Sequence, residues 1–176
     1  MRNIFFILFS FMSITAINAQ SLPLDDETQK VTYTETITID TLSKAVLYER
    51  AKEWIITKSE DNKPSLADSS KGDLKAEISF VIKLTYDYKY KKDSKVTFDA
   101  TINIKDGKYR YIFNNFRIYD VKSGLKTETS LESYYSKLRH SDKIEFVNQV
   151  QEQVNALTAD LKQLMEKGKL VKKDDW

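Results

Sequence analysis

The sequence predicts an α+β fold, a single antiparallel sheet with helices on one face in the order β-α-β-β-β-β-α. Three observations predict it. Several segments alternate apolar and polar residues with a period of two, which marks strands with one buried face. Two segments repeat apolar residues every three or four positions, which marks helices lying on such a face. Short turn signals join the strands, Asp106-Gly107 foremost, and tight turns make antiparallel neighbours.

The first strand runs from Val31 to Asp40. Val31, Tyr33, Glu35, Ile37 and Ile39 share one face, and Thr32, Thr34, Thr36 and Thr38 form a threonine comb on the other. Glu35 stands among apolar neighbours. A carboxylate there is either buried or set at a sheet edge where it reaches solvent, and the edge position is expected. Ser43 then offers an N-cap, since its hydroxyl can accept from a free N–H of the first helical turn. Leu47, Ala51, Trp54 and Ile55 follow at helical spacing through Thr57. A short strand is expected around Ser65 to Asp68, then a turn through Gly72.

The third strand carries the strongest pattern. Leu74, Ala76, Ile78, Phe80, Ile82, Leu84 and Tyr86 point one way, and Val81 is the one apolar residue pointing the other way. Tyr88 to Lys92 lead into a loop. Lysines interleaved with tyrosines also describe a stacking platform for nucleic acid. Here Tyr88 and Tyr90 continue the inner face, and the lysines protect a strand end. The fourth strand sets Val96, Phe98, Ala100, Ile102 and Ile104 inward. Asp106-Gly107 then pairs Lys105 with Lys108, Ile104 with Tyr109, Ile102 with Tyr111 and Ala100 with Phe113. Past Phe113 the pattern slips, and a bulge at Asn114-Asn115 would return Phe116 and Ile118 to the core.

Tyr119 to His140 has no clear period. Ser123-Gly124 is a turn, and Leu131 to Leu138 is a candidate short helix. A long helix follows, with Asp142 and Glu145 spaced as a capping box. Its seam is Val147, Val150, Val154, Leu157, Leu161 and Leu164, and Gly168 ends it. From Lys143 to Lys167 it spans about 37 Å. The seam also suits a coiled coil, but packing on the apolar sheet face is expected.

Residues 1-19 read as a secretory signal peptide. Arg2 is the basic start, Ile4 to Ile14 the apolar run, and Ala19 the small residue before the cut. The run is shorter than the roughly 20 residues a bilayer span needs. No Cys follows it to carry a lipid. Residues 20-170 are expected as a single α+β domain and 171-176 as a charged C-terminal tail. Of the 28 basic side chains only Arg2 lies in the leader, so the remainder balances the 26 acidic ones to within one charge. That balance gives no electrostatic case for nucleic acid or an anionic membrane.

The chemistry of the chain is sparse. It has no Cys and one histidine, His140, at a helix start. A Ser-His-Asp triad would need that histidine as its base, and zinc would lack its usual ligands. No nucleophile elbow, zinc-helix or phosphate-loop motif is present. The acidic clusters Asp25-Asp26-Glu27 and Asp174-Asp175 lie near the chain ends, where a preorganised acid and base are hard to hold. No catalytic residue, metal site or cofactor is expected.

Particular strings resemble a known family. They are Leu22 to Asp25, Val31 to Glu35, Ser43-Lys44, Leu47-Tyr48, Arg50 to Lys52 and Trp54-Ile55. The hairpin string Ile104 to Tyr111 with Phe113 to Phe116 belongs with them. The chain resembles exported Bacteroidota proteins carrying the domain of unknown function numbered 4468, with a TATA-binding-protein-like fold. The resemblance implies that fold and an extracytoplasmic setting, but no activity and no functional residues. The fold name does not imply DNA binding, because function lives in sites rather than folds.

Two functions stay open. One is a non-enzymatic envelope domain that binds another protein or serves as a structural accessory, through its polar sheet face or an exposed edge strand. The alternative is a carrier of a small apolar ligand between the sheet and the long C-terminal helix. Its ligand-binding residues would be Tyr86, Tyr88, Tyr109 and Tyr111.

Overall fold

The computed structural model describes residues 21–86, 90–122 and 125–168. In chain order the elements are β1 (Tyr33–Thr38), α1 (Lys44–Lys58), β2 (Leu66–Asp68), β3 (Asp73–Tyr86), β4 (Tyr90–Lys105), β5 (Lys108–Lys122), β6 (Leu125–Ser130), α2 (Leu131–Lys137) and α3 (His140–Lys167). The sheet is antiparallel in the order β1-β5-β4-β3-β2, with β6 also paired to β5.

β3, β4 and β5 form a long meander. Its second hairpin has the predicted register, with Lys105 opposite Lys108, Ile104 opposite Tyr109, Ile102 opposite Tyr111 and Ala100 opposite Phe113. Gly107 takes a positive φ of 67°, which the tight turn requires. The slip beyond Phe113 is a bulge. Asp99 faces Asn114 and Thr97 faces Arg117, so Asn115 and Phe116 together oppose Phe98. Asn115 has φ of 53°, in the left-handed region that Asn tolerates better than most residues. The extra residue restores the inner face, and Phe116 and Ile118 are buried.

Two strands share the outer edge of β5, end to end. β1 pairs with Lys108 to Phe113, and β6 pairs with Arg117 to Lys122. β6 extends the predicted order. Its sequence, LKTETS, has one apolar residue and so no buried-face signature. It forms because β5 past the bulge offers an unpaired edge to the segment that follows it in sequence.

α1 and α3 cover one face of the sheet. Ser43 caps α1 as expected, accepting from the Val46 N–H. The expected capping box on α3 does not form. The helix starts earlier, at His140, behind Arg139, whose side chain makes no capping bond to the first helical turn. The Asp142 carboxylate accepts from Arg139 Nε and Ser141 Oγ instead, at 2.9 Å each, and these bonds hold its pKa below the usual range. α3 buries Val147, Val150, Val154, Leu161 and Leu164 of the predicted seam, with Phe146 and Met165 added and Leu157 half-buried. At 28 residues it is about 42 Å long.

The core is a chain of rings. Trp54 of α1 stacks parallel on Phe113 at 5.9 Å. Phe98 lies 5.1 Å from Phe113 and 4.9 Å from Phe116. Burying each such side chain contributes about 2–3 kcal/mol. Gly72 makes a close approach at the start of β3. It has φ of 80°, it accepts from the Ile104 N–H, and a Cβ there would collide with the Ile104 carbonyl.

Candidate functional site

The inner-face tyrosines come first, because the carrier reading rests on them. Tyr109 and Tyr111 are both buried in the core cluster. Tyr111 packs against Phe113 at 4.9 Å, and its O–H donates to Glu35 at 2.9 Å. Glu35 in turn accepts from Lys162 of α3 at 2.9 Å, and about half of its side chain is exposed, as an edge position predicts. The Lys162 ammonium and the Tyr111 hydroxyl hold its carboxyl below the usual range. The Tyr109 hydroxyl, also buried, has no hydrogen-bond partner among the described residues. Burial pushes both phenols well above their ordinary pKa. Tyr88 lies outside the described residues, as does the side chain of Tyr86. The structure thus brings Tyr109 and Tyr111 together beneath α3, with their rings taken up by packing.

The opposite face of the sheet carries no helix among the described residues, and its side chains are mostly polar, with Val81 and Ile112 among the exceptions. At its centre Arg117 donates to Thr97 at 3.3 Å and pairs with Glu77, Asp99 and Glu128. Two strands and the β6 edge are laced through this one guanidinium, whose planar fork suits several carboxylates at once. Nearby, Glu60 accepts from Lys95 and Ser79, which lowers its pKa.

The hairpin end of the same face differs in charge. Lys105 and Lys108 stand directly opposite each other, and Arg110 follows on the same face of β5, opposite Asn103 and Thr36. These residues and Tyr109 line an open basin of about 240 Å³. Among the described residues no carboxylate pairs with any of the three cations. Like charges placed directly across a strand pair are destabilising.

The two sheet edges are treated differently. Along β3, main-chain groups are occupied by β2, by the Ser65 N–H bonded to Lys75 O, and by a bridge from Ser59 to Ile78. Further along, Gln149 of α3 clamps Lys83. The Lys83 N–H donates to Gln149 Oε1 and Gln149 Nε2 donates to Lys83 O, both at 2.7 Å. A shallow groove of about 540 Å³ lies beside this clamp, lined by Lys83, Lys91, Ile144, Glu145 and Glu152 among others.

Along β1 the edge is open. The Ile39 N–H donates to Gly107 O at 2.6 Å, which sets the odd-numbered main chain toward β5. The even-numbered N–H and C=O groups then face outward. Thr32 has its N–H taken by Pro23 O at 3.0 Å. Thr34, Thr36 and Thr38 are exposed, and their outward main-chain groups have no partner among the described residues. Thr36 stands opposite Arg110 and Thr38 opposite Lys108, so the open edge borders the cationic basin.

A family model described as a domain of unknown function, DUF4468, with TBP-like fold matches residues 33–119. Residues 33–119 are a DUF4468 domain. The DUF4468 match starts at the first residue of β1 and ends within β5, so it spans the open edge, the hairpin cations and Arg117. Two solved structures share the architecture. One is a DUF4468 family protein from Bacteroides ovatus, with a TM-score of 0.66 at 13% identity, covering 82% of this chain and 90% of that one. The other is a TBP-like protein from Parabacteroides distasonis, with a TM-score of 0.64 at 16% identity, covering 84% and 98%. At that identity they show the fold, and the fold is TBP-like. No curated protein matches the chain.

Sequence reasoning passed over Arg117, the hairpin cations and Gln149. The cations had a signal. Once Asp106-Gly107 fixes the register, Lys105, Lys108 and Arg110 fall on one face with no acid between them. Gln149 had none, since its partner is a backbone group far along the chain.

Proposed function

We propose that this DUF4468-containing chain is an exported, non-enzymatic envelope domain that binds another protein or serves as a structural accessory. The leader-like segment from Arg2 to Ala19 supports export. The observation that carries the binding role is the asymmetry of the sheet. One face is sealed by α1 and α3, while the other face and the β1 edge carry no covering layer among the described residues. Unsealed strand edges are standard docking places for extended partners. The chain offers one histidine and no Cys for catalysis, and no group of His, Asp or Glu among the described residues is arranged to hold a metal. No described helix is long and apolar enough to cross a membrane. The partner is an envelope protein rather than a nucleic acid, and the setting is the periplasm, the cell surface or the medium.

The test is fractionation of the native host, with sequencing of the mature N-terminus and native mass spectrometry of the purified protein. Recovery outside the cytoplasm with a new N-terminus near Gln20, and a mass equal to the polypeptide alone or to a stable complex with another protein, is the expected result. A cytoplasmic, uncleaved chain would end the export reading. A discrete extra mass lost on denaturation would replace protein binding with the carrier role.

A further inference from the structure

We infer that the free edge of β1 accepts an extended acidic peptide segment as an added strand. This deepens the protein-binding reading and rests on it. Two independent observations meet at one place. The first is hydrogen-bond valence. Thr34, Thr36 and Thr38 present consecutive outward N–H and C=O groups, and none is used among the described residues. Edges are usually blunted by charged side chains, proline, a bulge or a covering element. β1 carries one charge, Glu35, whose carboxylate is taken up by Tyr111 and Lys162, whereas the β3 edge is clamped by Gln149.

The second observation is charge. Lys105, Lys108 and Arg110 surround the basin beside Thr36, and none of them forms an ion pair among the described residues. Neighbouring strands lie about 4.8 Å apart, so an added strand sits two spacings from β5. The intervening side chains on that face are threonines, short enough for Lys108 and Arg110 to reach across them. A partner strand whose carboxylates alternate would place every acid on this face and meet the cations. The alternation sets its other side chains on the inner face, beside Glu35 and Ile37. Lys108, which faces Lys105 across the hairpin at a cost in stability, and Arg110 then gain counter-charges from the bound chain.

The test uses the chain as isolated from its host and two labelled peptides of about eight residues, one alternating Thr with Glu and the other Thr with Lys. Fluorescence anisotropy should show the acidic peptide binding, weakening with salt, and the basic peptide not binding. Arg110→Glu should weaken the acidic peptide roughly tenfold or more. Thr36→Pro should abolish binding. Its lost N–H faces outward, a place where an edge strand tolerates proline, so the fold should survive. Should Thr36→Pro not fold, amide exchange on the unmodified chain takes its place. Added acidic peptide should slow exchange at Thr34, Thr36 and Thr38 while leaving the rest of the sheet unchanged. Equal binding of both peptides, no binding of the acidic one, or unchanged exchange at these three amides would overturn the inference. So would a dimer, seen by sedimentation without peptide, that Thr36→Pro disrupts, because the edge would then belong to a second copy. The protein-binding reading itself would survive each of these results, since it is tested by fractionation and mass.

Discussion

Gln149 holds Lys83 by its backbone. One side-chain amide donates to the Lys83 carbonyl and accepts from the Lys83 N–H, as a neighbouring strand would. The helix thus supplies what the sheet lacks at that point, and it fastens α3 to the β3 edge beside the buried seam residues Val147 and Val150. Gln149→Ala should cost about 1 kcal/mol, because the freed groups are exposed and gain water. Amide exchange at Lys83 should accelerate in the same variant. Unchanged exchange there would show that the clamp does not persist in solution.

Trp54 separates packing from hydrogen bonding. Its ring is buried and stacked on Phe113, yet its Nε1–H has no partner among the described residues. Trp54→Ala should lose about 3–5 kcal/mol in urea unfolding, by removing the ring and leaving a cavity. Trp54→Phe should lose much less, since no hydrogen bond goes with the indole. A Phe variant as unstable as the Ala variant would point to a bond that the indole makes.

The buried phenols predict an alkaline limit. Burial pushes Tyr33 up to about 12, and Tyr109 and Tyr111 are also raised above the usual 10.0. A raised folded-state value means that the stabilisation is complete below pH 10 and is lost as pH rises toward the folded values. Unfolding followed by circular dichroism should therefore set in above pH 10. Tyr109→Phe should keep or raise neutral-pH stability, because that hydroxyl has no partner, and should move the alkaline transition upward.

Glu35 predicts an effect of opposite sign in acid. Lys162 and Tyr111 depress its pKa below the usual 4.5. The stabilisation is present above that value and fades as pH falls through the lower folded one. Both ends of the Lys162 pair are partly exposed, so the effect is small and screened by salt. Glu35→Gln should flatten the acid limb of the stability curve at low ionic strength. An unchanged limb would mean that the pair contributes nothing.

Asn115 sets a register. Deleting it would remove the bulge and leave Phe113, Asn114, Phe116, Arg117 and Ile118 in plain alternation, with Phe116 alone opposite Phe98 and both Phe116 and Ile118 still inward. The deletion should therefore keep cooperative unfolding in urea, and its loss would show that the fold needs the bulge itself. Asn115→Gly should also fold, since glycine accepts the positive φ freely.

The meander was readable because its strands alternate without error. Leu74 to Leu84 and Val96 to Ile104 each fix a face, and Asp106-Gly107 fixes how the faces align. Asn114-Asn115 was readable for the same reason, as the point where alternation failed. β6 was not readable. It has a single apolar residue and owes its existence to an edge created by β5, which no local pattern reports. The start of α3 was misread because Asp142 and Glu145 have capping spacing, while Arg139 and Ser141 compete for the Asp142 carboxylate. Within the candidate site, the threonine comb was visible in the sequence, but its freedom was not. That freedom depends on β1 being the last strand on its side, a fact of topology.

The shared edge of β5 also orders events in time. β3, β4 and β5 follow one another directly in sequence and can zip from local contacts. β1 must find a partner from which it is far removed in sequence, with Thr34 and Tyr111 77 residues apart. Closing so long a loop is entropically costly and slow compared with forming a hairpin. β1 therefore docks after the meander, and by the same balance it is the strand most easily shed. A nascent chain spends its latest folding stage with the β5 edge bare, and that interval is when this sheet is most exposed to pairing with the wrong chain.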